Sequence, residues 1–145
     1  MRPSFRNYAS TDQQTCLSLF DANCPEFFAP NERQDYLDFL RSAPIGYEVC
    51  ELGGSIVAAF GLIRNSERTD LNWIMLDPAS QGLGIGSAIM QRVLGMANEA
   101  GISTIRIAAS QKSAPFFARF GAVSTQRTED GWGRGLDRID MVLDT

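Results

Sequence analysis

No histidine occurs among the 145 residues. That removes the usual zinc ligand and any histidine-based triad or acid–base pair. A catalyst built from this chain must use carboxylates, phenols, thiols, backbone groups or water. Cysteine is sparse: Cys16, Cys24 and Cys50 are odd in number and scattered, which does not describe a disulfide framework. Positive charge is not in excess either. The net charge is −4, whereas nucleic-acid-binding domains usually carry a basic face; the balance mildly favours small cationic substrates. No apolar run approaches the roughly 20 residues that span a bilayer. The opening MRPSFRNY lacks a signal-peptide core, so cytoplasm is the expected location.

What is present is an apolar fraction of 44%, enough for a continuous core in one domain. The chain is organised around Leu71 to Gly101. An apolar run, Leu71 to Leu76, is broken by Asp77-Pro78. Gln81-Gly82-Leu83-Gly84-Ile85-Gly86-Ser87 follows, with glycine at every second position. Ile85, Ile89, Val93, Met96, Ala97 and Ala100 then recur three or four apart, as one face of a helix does. Gly101 supplies the stop. The unit is strand, glycine loop, helix. A helix start carries unpaired N–H groups and partial positive charge, and glycines let an anion approach, most often a pyrophosphate. Two nucleotide-binding patterns fail. Read from Gly82, the sixth position of a Rossmann fingerprint is Ser87, and the next strand ends in Ala109-Ser110 with no acid for a ribose. A phosphate-binding P-loop needs a lysine, and the loop has none.

Elsewhere, Ser4 to Tyr8 reads as a short strand. Ser10-Thr11-Asp12-Gln13 reads as a capping box with Ser10 as N-cap, opening a helix to about Asn23. Asn31-Glu32-Arg33-Gln34 repeats the signal for a helix to about Arg41. Between them lie Phe27 and Phe28, either buried under the helix pair or walling a pocket. Tyr47 to Glu51, Gly53-Gly54 and Ser55 to Ile63 form a hairpin. Asn65 to Arg68 is a turn. Ile102 to Ala108 is a strand, Ser113 to Gly121 bounds a short helix, and Leu136 to Leu143 is the final strand. The order βααβββαβαβ argues for a mixed α/β sheet in a single domain, residues 1–145.

These motifs together resemble the GNAT superfamily of N-acetyltransferases, in its small bacterial form. Gln81-x-x-Gly84-x-Gly86 matches the family's coenzyme A signature, and Leu76-Asp77-Pro78 lies upstream at the expected spacing. Phe116-Phe117-x-x-x-Gly121 is similar to its second cofactor segment, usually F-Y-x-x-x-G-F. The tail Asp130 to Arg138 is also similar to small members. The resemblance covers nearly the whole chain. It implies a mixed, mostly antiparallel sheet flanked by helices and transfer of acetyl from acetyl-CoA to a primary amine, on a small molecule or a peptide, by direct attack in a ternary complex. It implies cofactor contacts at Ile74, Leu76, Gln81, Gly82, Leu83, Gly84, Ile85, Gly86, Ser87 and Phe117, and an acceptor pocket beside Phe27 and Phe28. Homodimerisation is left open.

Amine acetylation needs a deprotonated amine, a stabilised carbonyl oxygen and a tolerated thiolate. By period two, Asp70, Asn72, Ile74 and Leu76 share a strand face. Asp70 stands where the resemblance implies a carboxylate base; the plainer reading is a solvated turn acid, and Glu26 and Glu51 are weaker candidates. Backbone N–H groups from Ile74 through Leu76 are the implied oxyanion donors. Two departures touch the third demand. The family's acidic tyrosine is replaced by Phe117, and a family asparagine by Ser110. The proton then comes from Ser110, Ser113, water or solution, and a thiol with a pKa of about 8.5 is a tolerable leaving group. The second reading is a non-catalytic acyl-CoA sensor on the same fold. Arg119 is either a phosphate contact or a solvated surface residue. Trp132 is either a lid or a packed anchor.

Overall fold

The central strand of this protein carries one residue too many, and that irregularity shapes the whole sheet. The computed structural model describes residues 2–145. Strand β1 (Ser4–Asn7) is followed by helices α1 (Gln13–Ala22) and α2 (Arg33–Arg41), each entered through one 3-10 turn. Strands β2 (Tyr47–Leu52), β3 (Ser55–Asn65) and β4 (Arg68–Leu76) form a meander. Then come α3 (Ile85–Glu99), β5 (Thr104–Ala109), the short α4 (Ala114–Ala118), β6 (Val123–Gly133) and β7 (Leu136–Asp144). The seven strands make one sheet in the order β1-β2-β3-β4-β5-β7-β6. Only β4 and β5 run parallel. The fold is thus a single-domain α/β architecture with a mostly antiparallel sheet. No helix among the described residues is long and apolar enough to cross a membrane.

Helices cover both faces. Ile85, Ile89, Met90, Val93 and Ala97 of α3 pack with Phe60, Leu71, Ile105, Ile107, Met141 and Leu143. On the other face Cys16, Leu17 and Phe20 of α1 and Tyr36 and Leu40 of α2 pack with Tyr47, Val49, Ala59 and Met75. The apolar periodicity of α3 holds, with Met90 joining the buried face; Ala100 is the exposed C-cap and lies outside it. Gly53 and Gly54 both take positive φ (60° and 85°), as a tight hairpin turn of the primed kind requires.

Three sequence expectations need correction. The chain order is βααβββαβαββ, because β6 is a strand that the pattern did not announce. Nine of its eleven residues are exposed, so it shows no apolar alternation; its backbone pairing with β7 holds it. Both capping signals sit earlier than read. Ala9 is the cap residue of the first turn, and the Asp12 carboxylate accepts its N–H at 2.8 Å. Likewise Ala29 caps the second turn and Glu32 accepts its N–H at 2.8 Å. In both cases the acid three residues after the cap closes the turn.

The third correction is the bulge. Gly61 pairs with Asn72 and Ala59 pairs with Met75. A two-residue step on β3 therefore opposes a three-residue step on β4, which places an extra residue at Trp73-Ile74. Trp73 takes φ 49°, an unusual value for a bulky residue. An unbroken strand would send Leu71 and Met75 to one side. Instead Leu71 belongs to the α3 cluster and Met75 to the α1–α2 cluster. Ile74 and Leu76 pack on the α3 side, whereas Asp70 and Asn72 alternate with Leu71 and so face the other way. The four residues do not share a face.

Side chains clamp the bulge. The Tyr47 hydroxyl, on a side chain 1% exposed, donates to the Trp73 carbonyl at 2.8 Å and lies 2.7 Å from the Tyr36 hydroxyl. Burial pushes both phenols up, so both stay protonated. The Trp73 ring lies among Tyr36, Phe28 and Phe39 at 4.9, 6.0 and 6.3 Å. Tyr47→Phe would leave the Trp73 carbonyl and a buried phenol without their partner. The expected loss is about 1–3 kcal/mol of unfolding free energy, read from urea midpoints at neutral pH. An unchanged midpoint would show that the hydroxyl does not hold the bulge.

Candidate active site

Beyond Leu71 the parallel strands part. The β4–β5 ladder contains only Asp70 with Arg106 and Leu71 with Ile107. The remaining halves of β4 and β5 diverge, and a cavity of about 820 Å³ opens between them. Asn72 to Leu76 line one side; Ala108 to Ser110 line the other. Asn23, 4% exposed, ties the end of β4 to α1: its Nδ2 donates to the Leu19 carbonyl at 2.8 Å and the Leu76 carbonyl at 3.0 Å.

One end of the cavity is the glycine loop. Gly82 and Gly84 have φ 82° and 78°, and a Cβ at either would meet nothing within 4 Å. Their requirement is conformational. Gly86 differs: a Cβ there would lie 2.9 Å from the Phe116 ring, so its missing side chain is space for that ring. Gly84 caps α3, and no side chain bonds the first turn. The leading N–H groups of a fifteen-residue helix are therefore free for an anion. Gln81, Gly82, Gly84, Ile85, Gly86 and Ser87 all line the cavity, as do Ile74, Leu76 and Phe117. Leu83 does not; it stands between two positive-φ glycines and turns outward, 61% exposed. Lys112 and Arg119 flank this end.

Ser110 and Ser113 also line the cavity. Ser113 Oγ accepts the Ser110 N–H at 3.0 Å, and Ser110 Oγ accepts the Lys112 N–H at 3.1 Å. Each bond uses an oxygen lone pair, so each hydroxyl keeps a proton to donate. Phe117 is 3% exposed and packs in the α3 core while touching the cavity.

The other end is aromatic and acidic. Phe27, Phe28, Trp73 and Trp132 line it. Trp132, at the far end of β6, bridges the mouth. Its Nε1 donates to the Ala109 carbonyl at 2.9 Å, its carbonyl accepts from Asn31 at 3.0 Å, and Arg138 lies 5.0 Å over its ring. Asp70 lines the cavity, and Arg68 Nε bonds both its oxygens at 2.8 and 3.1 Å. Glu26 is exposed and Glu51 pairs with Arg6; neither lines the cavity. Glu32 does line it, although a capping signal that starts at Asn31 gives Glu32 no place of its own in the sequence pattern. The signal that places it is Ala29-Pro30-Asn31-Glu32, proline in the first turn and an acid at its third position. Glu32 is 6% exposed, and no cation pairs with it among the described residues. Burial pushes its carboxyl from 4.5 up to about 7, opposed by the Ala29 N–H and aided by Asp35.

The family model of the acetyltransferase (GNAT) domain matches residues 47–145. No curated protein matches the chain at significant sequence similarity. Solved structures with the same fold include Ard1 from Thermoplasma volcanium, at 17% identity over 100% of this chain and 99% of that one, TM-score 0.83. The ribosomal-protein-S18-alanine N-acetyltransferase from Escherichia coli superposes with TM-score 0.79 at 14% identity, covering 99% and 94%. The PaiA N-acetyltransferase from Thermoplasma acidophilum, in complex with coenzyme A, superposes with TM-score 0.76 at 12% identity over 100% of each chain.

Glu32 makes stability depend on pH. Between pH 4.5 and about 7 the folded chain keeps a proton that the unfolded chain has released. Stability therefore falls as pH rises through that window and is fully reduced above it. Glu32→Gln keeps an oxygen for the Ala29 N–H and removes the titration. Relative to wild type, the variant should gain about 1–3 kcal/mol between pH 4.5 and pH 8, read from denaturant midpoints at both values. A difference that stays flat across the window would mean that the carboxyl titrates normally.

Proposed function

This chain belongs to the GNAT acetyltransferase family, and on that premise we propose that it moves the acetyl group of acetyl-CoA to a primary amine within a ternary complex. The observation that carries the reading is one continuous cavity with a helix start that no side chain caps at one end and carboxylates at the other. The first end fits a pyrophosphate: Gly82 and Gly84 leave open space, and the helix dipole favours the anion. Ile74, Leu76, Gln81, Ile85, Gly86, Ser87 and Phe117, with the backbone at Leu83, complete that half. Bound there, acetyl-CoA supplies a thioester carbon open to attack and a thiol that leaves.

The chain's own groups meet the three demands. The bulge leaves Trp73 and Ile74 without partners on β3, whereas Met75 and Leu76 pair with Ala59 and Ala58; of the backbone N–H groups from Ile74 to Leu76, we therefore assign that of Ile74 to the developing negative charge on the carbonyl oxygen. Ser110 or Ser113 can protonate the thiolate, since both hydroxyls retain their protons. The ammonium proton passes to a carboxylate, and Asp70 and Glu32 are the two that line the cavity. The amine enters beside Phe27 and Phe28.

Gly84→Asp tests the cofactor end. It forces an L side chain to φ 78° and adds a negative charge at the helix start. Calorimetry should show acetyl-CoA affinity falling at least about tenfold, about 1.4 kcal/mol. Unchanged affinity in a folded variant would sink the assignment. Wild type that binds acetyl-CoA tightly, yet releases no thiol with any amine, would be an acyl-CoA sensor instead.

Phe117→Tyr tests the leaving-group end. Phe117 lines the cavity from a buried position, so an added hydroxyl can reach the cleft only along that lining. Turnover at neutral pH should be equal or higher. A large fall with intact cofactor binding would show that the added hydroxyl lands against apolar core.

A further inference from the structure

Resting on the acetyl-transfer reading, we propose that Glu32 receives the acceptor's ammonium and takes its proton, and that the acceptor is a primary amine on an aromatic or apolar body. The two cavity carboxylates are not equivalent. Arg68 Nε engages both oxygens of Asp70. Glu32 has no cation beside it; Oε2 accepts the Ala29 N–H, and Oε1 makes no hydrogen bond among the described residues. Oε1 is not sealed away either, since the one buried unpaired side-chain atom among those residues is the Tyr8 hydroxyl. A 6%-exposed carboxylate that lines a cavity, with one oxygen fixed and the other unbonded yet not sealed, is a socket for a cation.

The walls of that socket define the rest of the ligand. The turn that carries Glu32 is clasped to the β6 end. A Cβ at Gly133 would meet the Ala29 Cβ at 2.8 Å, and Asn31 bonds the Trp132 carbonyl. Trp132 therefore faces the same space as Glu32, with Phe27 and Phe28 beside it. Charged and titratable groups around Glu32 are few. Asp35 follows it in α2, and Cys24 stands on the preceding loop. Asp70 with Arg68 lines the cavity from β4, and Arg138, paired with Asp140, from β7. An ammonium is the complement of the carboxylate, and rings complement an apolar body.

The step balances. The ammonium gives one proton to Glu32 Oε1, and the free nitrogen pair bonds the acetyl carbon as the carbon–sulfur bond breaks. The nitrogen's second proton ends on the thiol sulfur, and Glu32 later releases its own to solvent.

The experiment compares wild type, Glu32→Gln and Asp70→Asn with 2-phenylethylamine, ethanolamine and the uncharged 2-phenylethanol. Acetylation is followed by thiol release, and binding by calorimetry with coenzyme A present. For wild type, kcat/KM should rise with pH, level off above about 7, and favour 2-phenylethylamine over ethanolamine by about tenfold or more. In Glu32→Gln the levelling should vanish and kcat/KM should climb toward the amine's own pKa. At pH 7 the loss should be about 10²–10⁴-fold. Binding of 2-phenylethylamine should weaken at least about tenfold, 2-phenylethanol should be unaffected, and acetyl-CoA affinity should hold. A cap-only role for Glu32 moves none of these, because glutamine keeps the Ala29 bond. Loss of the limb in Asp70→Asn alone, or a Glu32→Gln rate within about threefold of wild type, overturns the assignment. Equal use of ethanolamine, or no binding of 2-phenylethylamine, overturns the acceptor class. Failure of wild type to bind acetyl-CoA removes the parent reading, and this one with it.

Discussion

The hydrogen bond from the Tyr47 hydroxyl to the Trp73 carbonyl holds a backbone that a tryptophan would not adopt unaided. Positive φ at a bulky residue costs on the order of 1–3 kcal/mol and persists only where the surroundings over-determine it. Here the surroundings are the two bonded phenols and the rings of Phe28, Tyr36 and Phe39. Three features follow from that clamp. Side chains of β4 change sides at the bulge. Backbone groups in its middle lose their β3 partners. The strand turns from β5 just where the cavity opens. The α1–α2 core is therefore also the support of the reaction site, since a change in Tyr36 or Tyr47 reaches the cleft through one carbonyl.

Much of this was legible in sequence, for a physical reason in each case. The glycine loop shows because positive φ demands glycine, and Gly82 and Gly84 have it. The α3 stripe and the inward residues Ile139, Met141 and Leu143 of β7 show because burial imposes a period. The bulge does not show. A single extra residue leaves composition unchanged, and Trp73 gives no glycine signal. β6 does not show because an exposed edge strand needs no apolar alternation; its evidence is backbone pairing alone. Glu32 does not show, since an acid at the third position of a turn is an ordinary cap. What distinguishes it from Asp12, which also caps a turn and is equally buried, is the missing cation: Asp12 is bound by Arg6 at 2.8 and 2.9 Å.

That contrast between Asp12 and Glu32 is a contrast of partners. Both are 6% exposed, and both close a 3-10 turn. Asp12 has a guanidinium beside it, which holds its carboxyl below the usual carboxylate range. Glu32 has none, and its carboxyl rises. If capping were the only requirement, pairing Glu32 with a cation, or replacing it by glutamine, would remove a desolvation cost without losing the Ala29 bond. An unpaired acid kept beside open space sacrifices stability at neutral pH, and such unrelieved costs gather at functional sites.

The lack of histidine gives that cost a meaning. A general base works best when its pKa lies near the working pH, and histidine reaches that range with no help from its surroundings. A carboxylate must be lifted into it, and the available means are burial or a neighbouring negative charge. Glu32 is lifted mainly by burial, whereas a cation beside it would lower it again. On the proposed reading, an ammonium arriving there would relieve the desolvation that raised the carboxyl. On that reading, the aromatic residues that line this cavity with Glu32, namely Phe27, Phe28, Trp73 and Trp132, would pack against the body of the molecule that brings its amine to the carboxylate.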